Sequence, residues 1–257
     1  MRLLLLFLTL SATQALAADF EGVITGKPIS ADGSTGQLRS LKMFLSPAGV
    51  RIEVTAAGDK DGTGAGAGFS ITTVWQASDP THSYLLNPVN KTYFKRDISK
   101  AQNAASTAAP PTVEKLGTAT FLGKTVQRVK VTFAGAGGRS QELWIDTSLH
   151  FPASALALFG QEQGGQHSPW KALEKAGVNG IPVKDLDSEG KAGWEASSIE
   201  KKSLPASLFQ VPSDFHEAKN AIEMLPAAQQ AKMKQQLDSM TPEQRARVEE
   251  AMKKASQ

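Results

Sequence analysis

The chain has 257 residues, 40% of them hydrophobic, which is enough to bury a substantial core in one large or two modest domains. It contains no cysteine, so disulfides and cysteine-linked lipid anchors are excluded. The formal net charge is only +3, and basic residues are interleaved with acids, as in "IEKK" and "ARVEEAMKK", so we expect no nucleic-acid partner.

Residues 1–17, "MRLLLLFLTLSATQALA", match the pattern of a secretory signal peptide. Arg2 precedes an apolar run from Leu3 to Leu10, and Ala15 and Ala17 supply the small residues of a cleavage site. The apolar run is too short to span a membrane. The sequence therefore predicts an exported, soluble mature chain without a transmembrane segment.

From Phe20 to Asp146, apolar and polar residues alternate with a period close to two. The stretches "VRIEVTA" at 50–56 and "TVQRVKVTF" at 125–133 are typical of half-buried strands. Turn sequences such as "SPAG" at 46–49 and "NPVNK" at 87–91 separate the strands. Because no long helical segment lies between them, we expect an antiparallel sheet.

Two polar segments interrupt this pattern. The segment 58–68, "GDKDGTGAGAG", lacks the Gly-Lys-Ser/Thr ending and the following helix of a phosphate-binding loop. It also has Ser70 where a calcium-binding EF-hand loop needs a glutamate. We therefore expect a long hairpin loop there, and a loop or linker at 99–112, "SKAQNAASTAAPPT".

The stretch 139–159, "RSQELWIDTSLHFPASALALF", brings Asp146 close to His150 in sequence. A hydrolase would also need a serine or threonine nucleophile, and the chain has no G-x-S-x-G elbow. A triad assembled from distant residues stays open as an alternative. We favour a strand that ends at Asp146, a corner, and a new strand that begins at Phe151-Pro152. None of the four histidines has metal-binding spacing, so we expect no metal site. Because no catalytic motif is found either, we expect no catalytic residue, no cofactor and no enzyme activity.

One short helix is predicted in "HSPWKALEKAGVNG". Ser168 suits the N-cap, Pro169 the first turn and Gly177 the left-handed stop, while Trp170 and Leu173 share an apolar side. Strand character returns in "GIPVKDL" and "GWEASSIEKK".

The last residues, 217–257, change in composition to alanine, glutamine and charged residues. Two similar units begin at Leu225 and Met240, each with a proline near its start, and Thr241 suits the N-cap of the second. We expect a helical tail of two weakly amphipathic helices, loosely docked or free.

Several stretches in order resemble a bacterial family of exported proteins with a domain of unknown function, itself similar to the outer-membrane lipoprotein-sorting carriers (LolA/LolB-like). They are "LKMFLSPAGVRIEV", "YLLNPVNKTYF", "FLGKTVQRVKV", "LWID" followed by "FPASAL", "GIPVKDL" and "SSIEKKSLPASLFQVPSDF". The resemblance covers residues 20–216 and implies a mainly β (α+β) domain at 18–216. In that domain a curved antiparallel sheet, or half-barrel, is covered by a helical lid that includes Trp170 and Leu173. It also implies a periplasmic role.

From the alternation and this resemblance, we expect a binding protein that shelters a lipid or a lipoprotein acyl chain on one face of the sheet. Two alternatives stay open: an ordinary filled core, and an interaction or chaperone-like protein that contacts an envelope partner through its tail. The candidate lining residues are Met43, Leu45, Ile52, Val54, Trp75, Val129, Val131, Phe133, Leu143 and Ile145.

Overall fold

A computed structural model describes residues 19–29, 38–56, 70–99, 109–134, 139–152, 155–156, 168–225, 227–241, 243–245 and 247. The predicted signal peptide, the glycine-rich loop 58–68, most of the segment 99–112 and most of the second tail helix lie outside these residues. No helix in the described part of the chain is long and apolar enough to cross a membrane.

Twelve strands in the described residues form one open sheet. The strands are β1 (Gly22–Ile29), β2 (Leu38–Ser46), β3 (Gly49–Ala56), β4 (Ser70–Gln76), β5 (Asp79–Asn87), β6 (Thr92–Asp97), β7 (Thr112–Phe121), β8 (Lys124–Thr132), β9 (Ser140–Asp146), β10 (Ile181–Asp187), β11 (Gly193–Lys201) and β12 (His216–Glu217). Their order is β12-β6-β5-β4-β3-β2-β1-β11-β10-β9-β8-β7. Neighbouring strands are antiparallel except that β12 runs parallel to β6.

The sheet consists of two meanders, β1 to β6 and β7 to β11, which the pair β1–β11 joins. Short turns connect many of the successive strands; Ser46 lies opposite Gly49 across the predicted turn between β2 and β3. Bulges interrupt the pairs β1–β11, β9–β10 and β7–β8. Because a bulge bends its strand and increases the local twist, these irregularities curve the sheet. The predicted fold class, a curved antiparallel sheet with a covering helix, is confirmed.

The register defines two faces in the first meander. Residues in line with Met43 form what we call the Met43 face: Ile24, Met43, Ile52, Thr73, Leu85 and Phe94 in one row, and Leu45, Val50, Trp75, Ser83 and Arg96 in the next. The alternate residues form the Val74 face: Val23, Phe44, Arg51, Val74, Tyr84 and Lys95. Both faces carry buried apolar side chains.

Residues 204–215 cover the Val74 face. Leu204 and Phe209 form a buried cluster with side chains of this face, and a 3-10 helix (Ala206–Phe209) carries Phe209. The Leu204 amide donates to the Glu21 carboxylate at 2.7 Å, and the Arg51 guanidinium donates to the Leu208 carbonyl at 3.3 Å. The stretch "SLPASLFQVPSDF" is therefore a structural cover for this side of the sheet.

The Met43 face is covered by a different part of the chain. Phe20, Leu149 and Phe151 belong to the same buried cluster as the β1–β4 side chains of this face. Phe151 and Pro152 were expected to begin a strand, and that prediction is wrong. Neither residue lies in a strand, and the amides of residues 155 and 156, which are helical, donate to the Pro152 carbonyl. Proline suits the first turn of a helix, and "ASAL" after it contains no β-branched residue.

The predicted short helix is present as α1 (Pro169–Lys175). The Ser168 hydroxyl accepts from the Trp170 amide at 3.3 Å, Pro169 lies in the first turn, and Gly177 follows with φ of 66°. These are the cap, the first-turn residue and the stop that the sequence indicated, so local chemistry specifies this helix.

The start of the tail is anchored to the sheet. After β12, a 3-10 helix (Ala221–Met224) and α2 (Ala227–Asp238) follow. The Asn90 side chain donates to the carbonyls of Glu223 and Leu225, and the Asn87 side chain donates to that of Met224. These contacts fix the beginning of the predicted tail to the turn between β5 and β6. A partner for the tail stays a prediction.

We predict that Phe209→Ala destabilises the fold by about 3–5 kcal/mol, because it leaves a cavity beneath a large, fully buried ring. Phe209 is 1% exposed. Urea unfolding measures the effect as a lower midpoint at an unchanged m-value. Gln210→Ala, a truncation of the exposed neighbouring residue, is the control. A shift no larger than that of the control would contradict the role assigned to residues 204–215.

Candidate ligand-binding site

A cavity of about 290 Å³ lies on the Met43 face at the strands β4, β5 and β6. It is lined by Thr73, Trp75, Ser83, Leu85, Phe94 and Arg96. All six residues belong to the two rows of the Met43 face, so the cavity floor is a patch of sheet three strands wide and two rows deep. We call it the β4–β6 cavity.

The cross-strand register determines which groups are neighbours in this cavity. Thr73 pairs with Leu85, which pairs with Phe94. In the adjacent row, Trp75, Ser83 and Arg96 pair in the same way. Directly opposed side chains in antiparallel strands have Cβ atoms about 4.5–5.5 Å apart, so each row places its three side chains in contact range.

The lining combines apolar surface with a few polar groups. Trp75 is 5% exposed, and Leu85 and Phe94 are half-buried. Ser83 is 3% exposed, and its hydroxyl is a polar group of the lining. Arg96 is exposed and contributes the one charged side chain of the lining. An apolar pocket with a few convergent polar groups is the usual composition of a small-molecule site.

A cluster centred on Asp79 stabilises the cavity floor from the opposite side of the sheet. Its carboxylate accepts from Tyr84 Oη at 2.6 Å and from Thr81 Oγ1 at 3.0 Å, and His82 Nδ1 lies 2.8 Å away. Lys95 Nζ lies 3.7 Å from the same carboxylate. Because Tyr84 alternates with Ser83 and Leu85 on β5, its hydrogen bond to Asp79 holds this strand where it forms the floor.

The Asp79 cluster shifts the pKa values of its members. Burial raises the pKa of the Asp79 carboxyl, but the hydrogen bonds from Tyr84, His82 and Thr81 outweigh burial and hold this pKa well below its usual value. Burial, and then the bond to Asp79, raise the pKa of the Tyr84 phenol above its usual value. The cluster is therefore most stable with an ionised carboxylate and a neutral phenol.

The structure places the ten predicted lining residues in two groups. Met43, Leu45, Ile52, Val54 and Trp75 lie on the Met43 face, where Trp75 alone of the ten lines the β4–β6 cavity. Val129, Val131, Leu143 and Ile145 form a second buried cluster, and Phe133 packs against it. The row Pro28–Trp194–Asp185–Leu143–Val129 connects the groups, so both lie on one face of the sheet.

The two predicted lid residues lie over this face. Leu173 of α1 is buried in the cluster of Val129 and Leu143. Trp170 packs against both clusters and makes an edge-to-face contact with Phe151, with ring centroids 5.3 Å apart. The helix α1 and the segment that carries Phe151 thus close most of the predicted lining away from solvent. Their function as a lid stays a prediction.

Five of the six cavity residues were not among the predicted lining. Ser83 and Leu85 occupy alternate positions in "SYLLN", and Phe94 and Arg96 do so in "YFKR". The turn "NPVNK" predicts the hairpin, and combined with the period of two it would have placed these four side chains on one face. That signal was weak because the other face of the hairpin carries Tyr84 and Leu86, which are also apolar and buried.

A second, smaller cavity of about 220 Å³ lies across β7 to β11. It is lined by Phe121, Leu122, Lys124, Val126, Asp146, Val183, Ser197, Ser198 and Ile199. The two charged groups of this lining already form an ion pair, since Lys124 Nζ lies 3.1 Å from Asp146. The charges of this cavity therefore serve the fold, and the cavity is the weaker candidate for a ligand site.

Asp146, the acid of the hydrolase alternative, has structural contacts. It is 2% exposed and accepts from the Ser148 amide at 2.9 Å, the Ser148 hydroxyl at 2.6 Å and Lys124. Burial raises the pKa of this carboxyl, whereas the bonds from Ser148 and Lys124 lower it, and the lowering prevails. The side chain holds the turn after β9 in its ionised form.

Asp185 shares a face with Leu143 and Trp194 beside the second cluster of predicted lining residues. Burial raises the pKa of Asp185 to about 6, and the nearby Asp187 carboxylate adds to the effect. Between about pH 4 and 6 the unfolded chain ionises this group while the folded chain keeps it protonated. The contribution of Asp185 to the stability of the fold should therefore fall as the pH rises through this window.

We predict that Asp79→Asn lowers stability by about 1–3 kcal/mol at pH 7, because it removes a hydrogen-bonded carboxylate. Because the pKa of Asp79 is lower in the folded than in the unfolded chain, its carboxylate stabilises the fold above the unfolded pKa, and this effect is lost as the pH falls. The difference in stability between the variant and the wild type should therefore be smaller at pH 3 than at pH 7. Urea unfolding at pH 3 and at pH 7 measures the free energy of unfolding of both proteins. Asp214→Asn removes an exposed carboxylate paired with Lys91 and should change little. A deficit that is equal at pH 3 and pH 7 would argue against an ionised cluster.

We predict the opposite pH dependence for Asp185→Asn. The variant should match the wild type at pH 4 and be more stable than it at pH 8, because asparagine cannot ionise beside Leu143. Thermal unfolding at the two pH values compares them, with Glu189→Gln on the exposed β10–β11 turn as the control. A variant that is less stable than the wild type at pH 8 would contradict the raised pKa.

Comparison with known proteins places the chain in a family. The model for a domain of unknown function, DUF4412, matches residues 20–215. No curated protein sequence matches the chain. Similar solved structures include an uncharacterized conserved protein from Thermus thermophilus, which is 10% identical at a TM-score of 0.42, over 79% of this chain and 91% of its own.

Two further similar structures bear functional names. Lipoprotein LppX from Mycobacterium tuberculosis is 11% identical at a TM-score of 0.34, over 73% of this chain and 90% of its own. A LolA superfamily protein from Nitrosomonas europaea is 9% identical at a TM-score of 0.28, over 76% of this chain and 91% of its own. The predicted resemblance to a family with a domain of unknown function is confirmed. Since the family match covers most of its length, the chain belongs to the DUF4412 family.

Proposed function

We propose that the protein is an exported, periplasmic binding protein that shelters an apolar ligand, such as a lipid or a lipoprotein acyl chain, on the Met43 face of its sheet. The observation that carries the proposal is the β4–β6 cavity, in which Trp75, Leu85 and Phe94 form an apolar floor. The signal-peptide pattern of residues 1–17 supports the location.

The size of the cavity suits a single hydrocarbon chain. A water molecule occupies about 30 Å³ in the liquid and a methylene group is of similar size, so 290 Å³ holds about ten such groups. Each methylene transferred from water contributes about 0.8 kcal/mol. Ten fully buried methylene groups contribute about 8 kcal/mol. Part of this gain offsets the entropy that is lost on binding.

The rest of the Met43 face gives a longer chain a route inward. Thr73 at the cavity is in register with Ile52, and Ile52 is in register with Met43. These side chains are covered by the segment that carries Phe151 and by Trp170 of α1. A chain longer than the cavity therefore requires this cover to move, which is the role that a lid would have.

We predict that Leu85→Ala weakens the binding of the neutral dye N-phenyl-1-naphthylamine about tenfold. The truncation removes apolar surface worth about 1.5 kcal/mol from the cavity floor. Fluorescence titration of the purified mature protein, after delipidation, measures the dissociation constant. Val89→Ala is the matched control, because Val89 is an aliphatic residue of the same hairpin that is 70% exposed and outside the cavity.

Two results would refute the proposal. One is a folded, delipidated wild type that takes up no dye in a saturable manner. The other is a Leu85→Ala variant that binds the dye as well as Val89→Ala does. If the dye binds as expected, mass spectrometry of small molecules that purify with the exported protein identifies the native ligand class.

A further inference from the structure

We infer that the β4–β6 cavity is selective for anionic single-chain amphiphiles, and that Ser83 and Arg96 form the subsite for the anionic head group. The inference rests on the proposed function and adds to it the chemistry of the ligand's polar end. A carboxylate and a phosphate monoester share this chemistry, and the experiment below distinguishes them.

Arg96 supplies the charge. Among the six lining residues it is the one with an ionised side chain, and it lies in the row next to Leu85 and Phe94. A guanidinium group stays charged at all relevant pH values and presents a planar fork of donors that matches carboxylate and phosphate oxygens. Because it has five N–H donors, it can bind an anionic oxygen and keep other contacts. Arg96 is therefore the charged group of the cavity lining.

Ser83 supplies a second donor at the same place. It pairs directly with Arg96 across β5 and β6, so the two side chains lie in contact range. The residue is 3% exposed and lines the cavity. A hydroxyl in this position can donate one hydrogen bond to a ligand oxygen. An anionic oxygen at the Arg96 end can accept it.

The geometry also orients the chain of the ligand. The head-group row, Trp75–Ser83–Arg96, lies two residues along the strands from the row Thr73–Leu85–Phe94, which corresponds to about 7 Å. A hydrocarbon chain that leaves the Ser83–Arg96 end reaches Leu85 and Phe94 within a few methylene groups. On the other side of Leu85, Thr73 of β4 pairs with Ile52 of β3. The head group thus stays at the exposed Arg96, and the tail points toward the core.

Lys95 is a natural control for this assignment. It is the neighbouring residue on β6, carries the same charge and is also exposed. Its side chain lies on the opposite face, where Nζ is 3.7 Å from Asp79 and 5.7 Å from the centre of the Tyr84 ring. An attraction of anions to any positive surface would involve Lys95 as well, whereas a head-group subsite involves Arg96 alone.

The test compares dodecanoate, dodecyl phosphate and 1-dodecanol, which share a chain and differ in the head group. Calorimetric titration at pH 8, with the wild type, Arg96→Gln and Lys95→Gln, gives the dissociation constants. We expect the wild type to bind at least one of the two anions about 10–100 times more tightly than dodecanol, as a hydrogen-bonded charge pair allows. Arg96→Gln should lose this preference and keep its affinity for dodecanol, and Lys95→Gln should keep both.

Ser83→Ala tests the second donor without a change in charge, and should weaken anion binding several-fold while dodecanol binding stays the same. A preference for dodecanoate alone or for dodecyl phosphate alone identifies the head group. Equal binding of all three ligands by the wild type overturns the inference and leaves the proposed function standing. So does a preference that survives in Arg96→Gln, or a loss of dodecanol binding in that variant. Failure of all three ligands to bind overturns the proposed function as well.

Discussion

The register of the hairpin β5–β6 is the constraint on which the cavity depends. A slip of one residue would exchange Ser83 and Leu85 for Tyr84 and Leu86, because side chains alternate between faces. The hairpin is fixed at its turn, where the side-chain carbonyl oxygen of Asn87 accepts from the amides of the second and third residues after it. At the opposite end, the Asp79 cluster holds Tyr84 on the other face.

This constraint also connects the cavity to distant parts of the chain. The Asn87 amide group donates to the Met224 carbonyl, so the start of the tail helps to hold the turn of the hairpin. β12 pairs with β6 beside this turn, through His216 and Glu217. The segment 204–215 fills the Val74 face behind the hairpin. The end of the chain therefore serves as a brace for the strands that form the cavity, whatever further role the tail has.

The sequence predicts some of these features well and others poorly, for physical reasons. Alternation in "TVQRVKVTF" and "SQELWID" correctly predicts strands, because one face of each is more polar than the other. The helix α1 is predictable from Ser168, Pro169 and Gly177, since caps are local. The hairpin β5–β6 is buried on both faces near its turn, so its sequence shows no clear alternation of apolar and polar residues. Most of the residues that line the cavity could therefore not be assigned to a face from the sequence. The helical residues 155 and 156 were missed because the apolar stretch that contains them equally suits a strand.

Residue size explains why the Met43 face is filled at β1 to β3 and open at β4 to β6. In one row of this face, Ile24, Met43 and Ile52 are followed by the smaller Thr73 on β4. In the other row, Leu45, Val50 and Trp75 are followed by the smaller Ser83 on β5. The branched or long side chains of β1 to β3 meet Phe20, Leu149 and Phe151 and close the core there. The two hydroxyl residues are smaller than the groups around them, and a densely packed interior can leave room only where such residues lie together. The space that results is lined by Trp75, Leu85 and Phe94 and by Arg96, so the same small residues that create the cavity also add hydroxyl groups to its lining.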